Sequence, residues 1–381
     1  MRDVVLAGVG LTRFDCYDGK KGRVFKEFYE LGSEAVVNAL ADAEMQFSDL
    51  EAAFCGSSMY GTASGHQTLK AIGNTGIPIV NVENACSSGS SAFRLAYQQV
   101  AAGFCDIAIA VGFEEMPSGM IKSTAWPEWQ RLMGFNVQPA SYAMETQRYM
   151  EYSGATEEDF ARVTVKNRKN GALNENARFQ KPVTIEDVLA SRMIAKPLRF
   201  FHSCPLAAGG AAIILCGRDS LKSNKIPISV AATVLTSGTY GHEYGGGSVK
   251  IKTPDAITLS AQKAWEMSGM GPEDIDVVQA YDTMSSGELW DIEKLGFCEK
   301  GEAPQLLREG VFDLGGKIPV NTDGGLLSRG HPLGATGLAQ IIEIYKQISN
   351  QAGKRQVPGA KAGLAHAMGA GPNSSVVILK R

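Results

Sequence analysis

Short β-rich runs alternate along the chain with stretches whose apolar residues recur every three to four positions. Residues 4–9, 52–55, 79–82 and 107–112 predict strands, and residues 32–44 and 90–102 predict amphipathic helices. The order then recurs, with strands over 228–235, 275–279 and 375–379 and helices over 258–267 and 337–349. Alternation of this kind implies α/β layering, and the recurrence implies an internal duplication. The repeat is visible in register: residues 39–54 fall on residues 264–279. Both segments end a helix, carry an acidic turn (Ser48-Asp49, Glu273-Asp274) and enter an apolar strand.

Between the halves, residues 117–205 change character, with more charge and the aromatics Trp126, Trp129, Tyr142, Tyr149 and Tyr152. A helix is predicted over 157–173, and the segment reads as an inserted cap suited to covering a long substrate. Any one of its aromatics, taken alone, is expected in the core. The domain reading is residues 1–116 with 206–225 as the first half, where the strand 209–216 resumes it, 117–205 as the cap, and 226–381 as the second half.

Three segments carry candidate chemistry. Asn84-Ala85-Cys86-Ser87-Ser88-Gly89-Ser90 joins a strand to a helix. Its small residues allow a sharp turn and an open sulfur, and a helix N-terminus favours the thiolate, the nucleophilic form. Asn321-Thr322-Asp323-Gly324-Gly325 is followed by Gly330-His331-Pro332-Leu333-Gly334-Ala335-Thr336-Gly337, which holds His331 on a rigid turn. His331 precedes the helix equivalent to the one that follows Cys86, so the duplication pairs a candidate base with a candidate nucleophile. The glycines do not form a phosphate loop, since neither the Lys-Ser/Thr nor the GxGxxG spacing is present. Ala365-His366-Ala367-Met368-Gly369-Ala370-Gly371 reads as a Gly-rich turn before the last strand, able to approach a ligand closely. The amides of Cys86 and Gly369 are the expected donors to a developing oxyanion.

Composition narrows the classes. With 37 basic and 40 acidic residues and no basic tract, the chain is not expected to bind nucleic acid or a membrane surface. No apolar run approaches the roughly 20 residues that span a bilayer, and residues 1–14 read as a strand without a signal-peptide pattern, so a cytoplasmic protein is expected. Seven irregularly spaced cysteines fit reduced thiols, and without a CxxC pair no metal site is expected in this chain.

Taken together, NACSSGS, NTDGG…GHPLGATG and HAMGAG, in this order and with the duplication, resemble the thiolase superfamily along essentially the whole chain. The resemblance implies two duplicated α-β-α-β-α halves in five layers with an inserted loop domain. It makes Cys86 the acyl-accepting nucleophile, His331 its activating histidine and Gly369 the oxyanion-hole glycine. Residues 157–179 and 191–198 are similar to the sterol-carrier-protein type of thiolase and its bacterial and archaeal relatives. Two departures follow. The second cysteine of such enzymes, in a CxG or an HDCF motif, is absent from both places, which read Ala367-Met368-Gly369 and Tyr281-Asp282-Thr283-Met284. The histidine or asparagine that binds the thioester oxygen is replaced by Tyr281.

The resemblance therefore implies acyl-CoA C-acyltransfer, with coenzyme A as substrate and no further cofactor, and His366, His331 or Tyr281 as the acid/base. A bulky or aromatic acyl group suits the cap. The alternatives are a retro-aldolase of a β-hydroxyacyl-CoA, with a tyrosine as base, an acyltransferase to an aromatic carbon acceptor, and, last, a non-catalytic scaffold. Relatives with altered motifs work with a small zinc-ribbon/OB-fold subunit, benzoylsuccinyl-CoA thiolase among them. A homodimer, with or without such a subunit, is the expected assembly.

Overall fold

The apolar runs become the strands of one extended sheet system. In a computed structural model describing residues 2–116, 128–134, 137–222, 224–239, 254–370 and 372–381, the first half contributes β1 (Val4–Leu11), β2 (Ala52–Gly56), β3 (Ile79–Val82) and β4 (Ile107–Glu114). A hairpin, β5 (Met193–Ala195) and β6 (Leu198–Arg199), belongs to the inserted segment, after which β7 (Gly209–Gly217) returns to the sheet. The second half contributes β8 (Ser229–Ser237), β9 (Val277–Gln279), β10 (Ala362–Gly369) and β11 (Asn373–Lys380). The helices are α1 (Phe28–Ala43), α2 (Ser64–Lys70), α3 (Ser88–Ala101), α4 (Glu128–Leu132), α5 (Gln138–Ser153), α6 (Glu157–Gly171) and α7 (Ile185–Ala190), then α8 (Ala256–Ser268), α9 (Ser285–Leu295), α10 (Ala303–Arg308), α11 (Gly325–Arg329) and α12 (Leu333–Ile348).

The strand order is β3-β2-β4-β7-β1 in one half and β8-β11-β10-β9 in the other, joined at the β1–β8 pair. Read from each half's first strand, the two orders and directions agree. The second strand runs parallel to the fourth (β2–β4, β9–β10), and the fourth and first run antiparallel to the fifth (β7, β11). The counterpart of β3 is reduced to Val320, which bridges in parallel to Val278 of β9 as β3 pairs with β2. The two halves are thus duplicated in topology. Cys86, after β3, and His331, after Val320, stand at equivalent places before the central helices α3 and α12.

Those two helices fill the space between the sheets. Phe93, Ala96 and Val100 of α3 share one core with Leu338, Ile341 and Ile342 of α12 and with Ala110 and Val377 from the facing sheets. Outside, Ala35 and Ala39 of α1 cover Ile109 and Val111, and Ala261 of α8 with Ile292 of α9 covers Leu364 and Ile378. Five layers result, helix, sheet, helix, sheet, helix, because each sheet buries both faces and its strands read as nearly continuous apolar runs. The N-termini of α3 and α12 cross at glycine: a Cβ on Gly89 would lie 2.3 Å from the Gly334 carbonyl oxygen. Gly89→Ala is expected to lower stability by about 2–3 kcal/mol through overpacking, read as a lower urea midpoint, because backbone rather than a movable side chain blocks the added methyl.

The inserted segment carries α4 to α7 and the hairpin. Its long helix α6 opens on a capping box between Thr156 and Asp159 and is fastened to the second half from inside. Lys166 pairs with Glu288 at 3.0 Å, and Asn167 donates to Asp282 and Glu288 at 2.8 Å each, all buried. Of the cap aromatics, Tyr149 is buried on Glu293, Trp129 and Tyr152 are exposed, Tyr142 is half-buried, and Trp126 lies outside the described residues. The expected Gly-rich turn at residues 365–371 is instead largely strand: Ala362–Gly369 pairs antiparallel with β11. Its small residues hid the strand, since β-branched content is what marks one. Helices α1, α3 and α12 begin earlier than the apolar periodicity suggests, by four, two and four residues; Ser88-Gly89 opens α3 and Gly334 lies in the first turn of α12, while α1 opens on Phe28 and Tyr29.

Candidate active site

Cys86 sits on a strained turn. Ala85 has φ 49°, the left-handed region that a β-carbon disfavours, and Ser87 immediately precedes α3. The turn is held by local hydrogen bonds: Ser87 N donates to Asn84 O at 3.1 Å, and Ser88 Oγ donates to Ala85 O at 2.6 Å. The end of β10 closes over it. A Cβ on Gly369 would lie 2.3 Å from Asn84 O, so only glycine lets the strand come this near. Asn373 staples the two segments, accepting from Ser87 Oγ and donating to Asn84 O. The Gly369 and Cys86 backbones therefore converge, as oxyanion donors need to.

The sulfur is not open. Cys86 is half-buried against a cluster of Tyr281, Leu326 and Ala367. Burial pushes its thiol up to about 11, against the Tyr281 hydrogen bond, which lowers it. The expected thiolate is thus a thiol at rest, because desolvation by segments distant in sequence outweighs the field of one helix end.

His331 is buried, and its ring is held in one tautomer. Its Nδ1 lies 2.8 Å from Thr336 Oγ1, and that hydroxyl spends its own proton on Pro332 O at 2.8 Å, so Nδ1–H must donate to it. Nε2 is left as a bare acceptor facing the Tyr281 hydroxyl at 3.2 Å. Burial, and then the Arg329 charge, pull the imidazole down to about 3, which keeps it neutral. Tyr281 bonds both the Cys86 thiol and His331, so the bonded path from sulfur to imidazole runs through the phenol. Burial keeps the phenol's pKa well above its usual value.

His366 stands behind this group. Its Nδ1 lies 2.8 Å from Asp291 Oδ2 and its Nε2 2.9 Å from Ser374 Oγ, so both ring nitrogens are engaged. Asp291 Oδ2 also accepts Tyr281 N at 2.8 Å, which makes His366 and Asp291 a support for the tyrosine. Asp282, next in sequence, accepts the amides of Leu326 and Leu327 and pins α11 beneath His331.

Cys204, which carries no motif, packs against the same cluster as Cys86. Its N donates to Thr283 O at 2.9 Å, Ser203 bridges Met284, and Pro205 O accepts His331 N at 3.3 Å. The segment is therefore threaded between the Tyr281 strand end and the histidine turn. Burial, then Asp282 and Cys86, raise the Cys204 thiol, so it rests protonated. Tyr142, from α5, completes the wall by accepting from Thr283 Oγ1 at 2.9 Å. Among the described residues no cluster of His, Cys, Asp and Glu is arranged to hold a metal ion, and no helix is long and apolar enough to cross a membrane.

Five layers, duplicated halves and a Cys/His pair at the crossing of two central helix N-termini define an enzyme of acyl-thioester chemistry. The thiolase N-terminal domain family matches residues 4–196 and the thiolase C-terminal domain-like family residues 248–381. Acetyl-CoA acetyltransferase of Methanothermobacter thermautotrophicus is 37% identical over 100% of both chains. Benzoylsuccinyl-CoA thiolase subunit BbsB of Thauera aromatica is 38% identical over 97% of this chain and 95% of its own. Among solved structures, an Ltp2-ChsH2(DUF35) aldolase superposes with a TM-score of 0.86 at 28% identity, covering 99% of this chain and 97% of that one. Human mitochondrial 3-ketoacyl-CoA thiolase superposes at 0.73 and 15% identity, over 100% and 98%, a likeness of fold. The chain belongs to the thiolase family and is a thiolase-type acyltransferase.

Proposed function

We propose that the enzyme cleaves or forms a 3-oxoacyl-CoA through an acyl group carried on Cys86. The observation that carries this reading is the bonded row Cys86, Tyr281, His331, ending in a bare imidazole nitrogen. In the cleavage direction the Cys86 sulfur adds to the 3-oxo carbonyl while its proton passes to the Tyr281 oxygen and the Tyr281 proton passes to His331 Nε2. With the thiol near 11 and the imidazole near 3, a free ion pair would be costly, so proton transfer accompanies C–S bond formation. The amides of Cys86 and Gly369 hold the oxyanion.

When the C2–C3 bond breaks, its electron pair becomes the enolate of the departing CoA thioester. Cys204 supplies the proton to that carbon. Thr283 Oγ1 is committed to Tyr142, His366 to Asp291 and Ser374, and Tyr281 to the cysteine–histidine row. The Cys204 thiolate then takes the proton of the incoming CoA thiol, whose sulfur attacks the acyl-Cys86. The Cys86 thiolate leaves and regains its proton from His331 through Tyr281, so every group returns to its starting state.

Mass spectrometry of the protein quenched after mixing with acyl-CoA tests the reading: the acyl mass is expected on the peptide bearing Cys86. The competing aldolase reading rests on Tyr281 as a base for a β-hydroxyl, in line with the aldolase neighbour. It predicts cleavage of a β-hydroxyacyl-CoA without CoA and no acyl adduct. Two of the similar proteins are named as a subunit or a complex, which supports a small zinc-ribbon/OB-fold partner here. The exposed edge strand β3, with Val80 outward, supports a homodimer.

A further inference from the structure

Beside the catalytic cluster the fold buries a cation that no acidic group among the described residues balances. Arg168 of α6 is 8% exposed, and none of its guanidinium N–H groups meets an acceptor among the described residues; its Nε is fully enclosed. Its guanidinium lies 3.8 Å over the Phe179 ring, and that of Arg178 lies 5.5 Å over the same ring. Neither arginine forms an ion pair among the described residues. Burial, then the charge of Arg178, lowers Arg168 to about 10. Both line a cavity of about 400 Å³ whose wall includes Phe201, Cys204 and Leu206. Its two acids are committed elsewhere: Asp18 is held by both arms of Arg23 at 2.7 Å, and Glu115 accepts the Tyr60 hydroxyl at 3.1 Å. A buried, unpaired guanidinium is costly to keep, and two forks over one ring suit a planar bidentate anion.

Position indicates which anion. Arg178 Nη1 donates to the carbonyl of Leu206, which bridges His331, and Arg178 N donates to Arg329 O at 3.1 Å. The cation pair therefore adjoins the reacting end, whereas a pantetheine arm holds the phosphates of a CoA thioester many bonds from its sulfur. We propose that Arg168 and Arg178 form a subsite for a carboxylate carried by the acyl group, so that the substrate is the thioester of a dicarboxylic acid. This rests on the 3-oxoacyl-CoA reading above for its chemistry, but not for its binding.

Calorimetric titration tests it on the Cys86→Ala enzyme, which cannot take up an acyl group, with two pairs of probes that lack the 3-oxo group, adipoyl-CoA against hexanoyl-CoA and suberyl-CoA against octanoyl-CoA, each pair equal in carbon number. At one length at least, the carboxylate-ended probe is expected to bind about tenfold or more tightly, the effect of a charged hydrogen bond. Arg168→Gln removes that ratio without weakening the methyl-ended probe, Arg168→Lys keeps part of it, and N-acetylcysteamine thioesters, which lack phosphates, show it too. Equal binding within both pairs overturns the proposal. So does an Arg168→Gln loss shared by both members and abolished in the N-acetylcysteamine thioesters, which assigns the arginines to coenzyme A phosphate. Because titration needs no turnover, a carboxylate preference without 3-oxoacyl cleavage leaves the subsite standing and removes the thiolase reading; cleavage without the preference does the reverse.

Discussion

Replacing Cys86 by alanine is expected to lower kcat/KM for CoA-dependent cleavage of a 3-oxoacyl-CoA by about 10⁴-fold or more, with the thermal midpoint close to that of the parent. The side chain is small and half-buried, so its loss leaves the turn intact: the strained Ala85, the Ser88 bond to Ala85 and the Asn373 staple make no use of the sulfur. What disappears is the atom at the meeting of the Gly369 strand end, the α3 N-terminus and the Tyr281 hydroxyl. Cys204 is no substitute, because its backbone is tied to Thr283 and not to a helix start. A Cys86→Ala enzyme keeping more than about a tenth of the activity would place the nucleophile elsewhere and remove the acyl-cysteine. Initial rates under saturating CoA decide the matter.

Why Cys86 and His331 could be singled out while their resting states could not is a question of range. Glycine, serine and proline around each residue are local signals, and the duplicated order of elements along the chain ties the two positions together. Protonation is not local. The half-burial that holds Cys86 as a thiol comes from Tyr281, Leu326 and Ala367, which lie far along the chain. The favourable field of the helix start is local to the motif, and that cost is not. The same holds for His366, whose sequence setting marks it as a candidate acid/base. The fold spends its two nitrogens on Asp291 and Ser374, and its effect reaches the site through the Tyr281 backbone. Cys204 and Arg168 had no signal to find, one being a cysteine without a motif and the other an arginine among charged helix residues. Their meaning lies in what surrounds them after folding.

Replacing Cys204 by alanine is expected to reduce 3-oxoacyl-CoA cleavage by about 10²–10⁴-fold, the range for losing a positioned acid, while leaving acyl exchange untouched. The two measurements separate because they share Cys86 and differ in the carbon proton. Exchange of labelled CoA into an acyl-CoA forms no enolate, so Cys204 keeps its proton throughout, and the thiol proton of the leaving and the entering CoA passes to and from Cys86 through Tyr281 and His331 alone. Carbon–carbon cleavage needs in addition a donor to the enolate carbon, and the proposed donor is the thiol packed on the same cluster, kept protonated by burial and by Asp282. Exchange of the α-hydrogens of acetyl-CoA with deuterated water should fall with cleavage, since it is the same proton transfer run without the bond-breaking step. If both cleavage and CoA exchange drop together, Cys204 serves only to position the 203–206 segment against His331. If neither drops, another group delivers the proton, and Tyr281 becomes the residue to test, with β-hydroxyacyl cleavage by a Tyr281→Phe variant as the measurement that separates aldolase from thiolase.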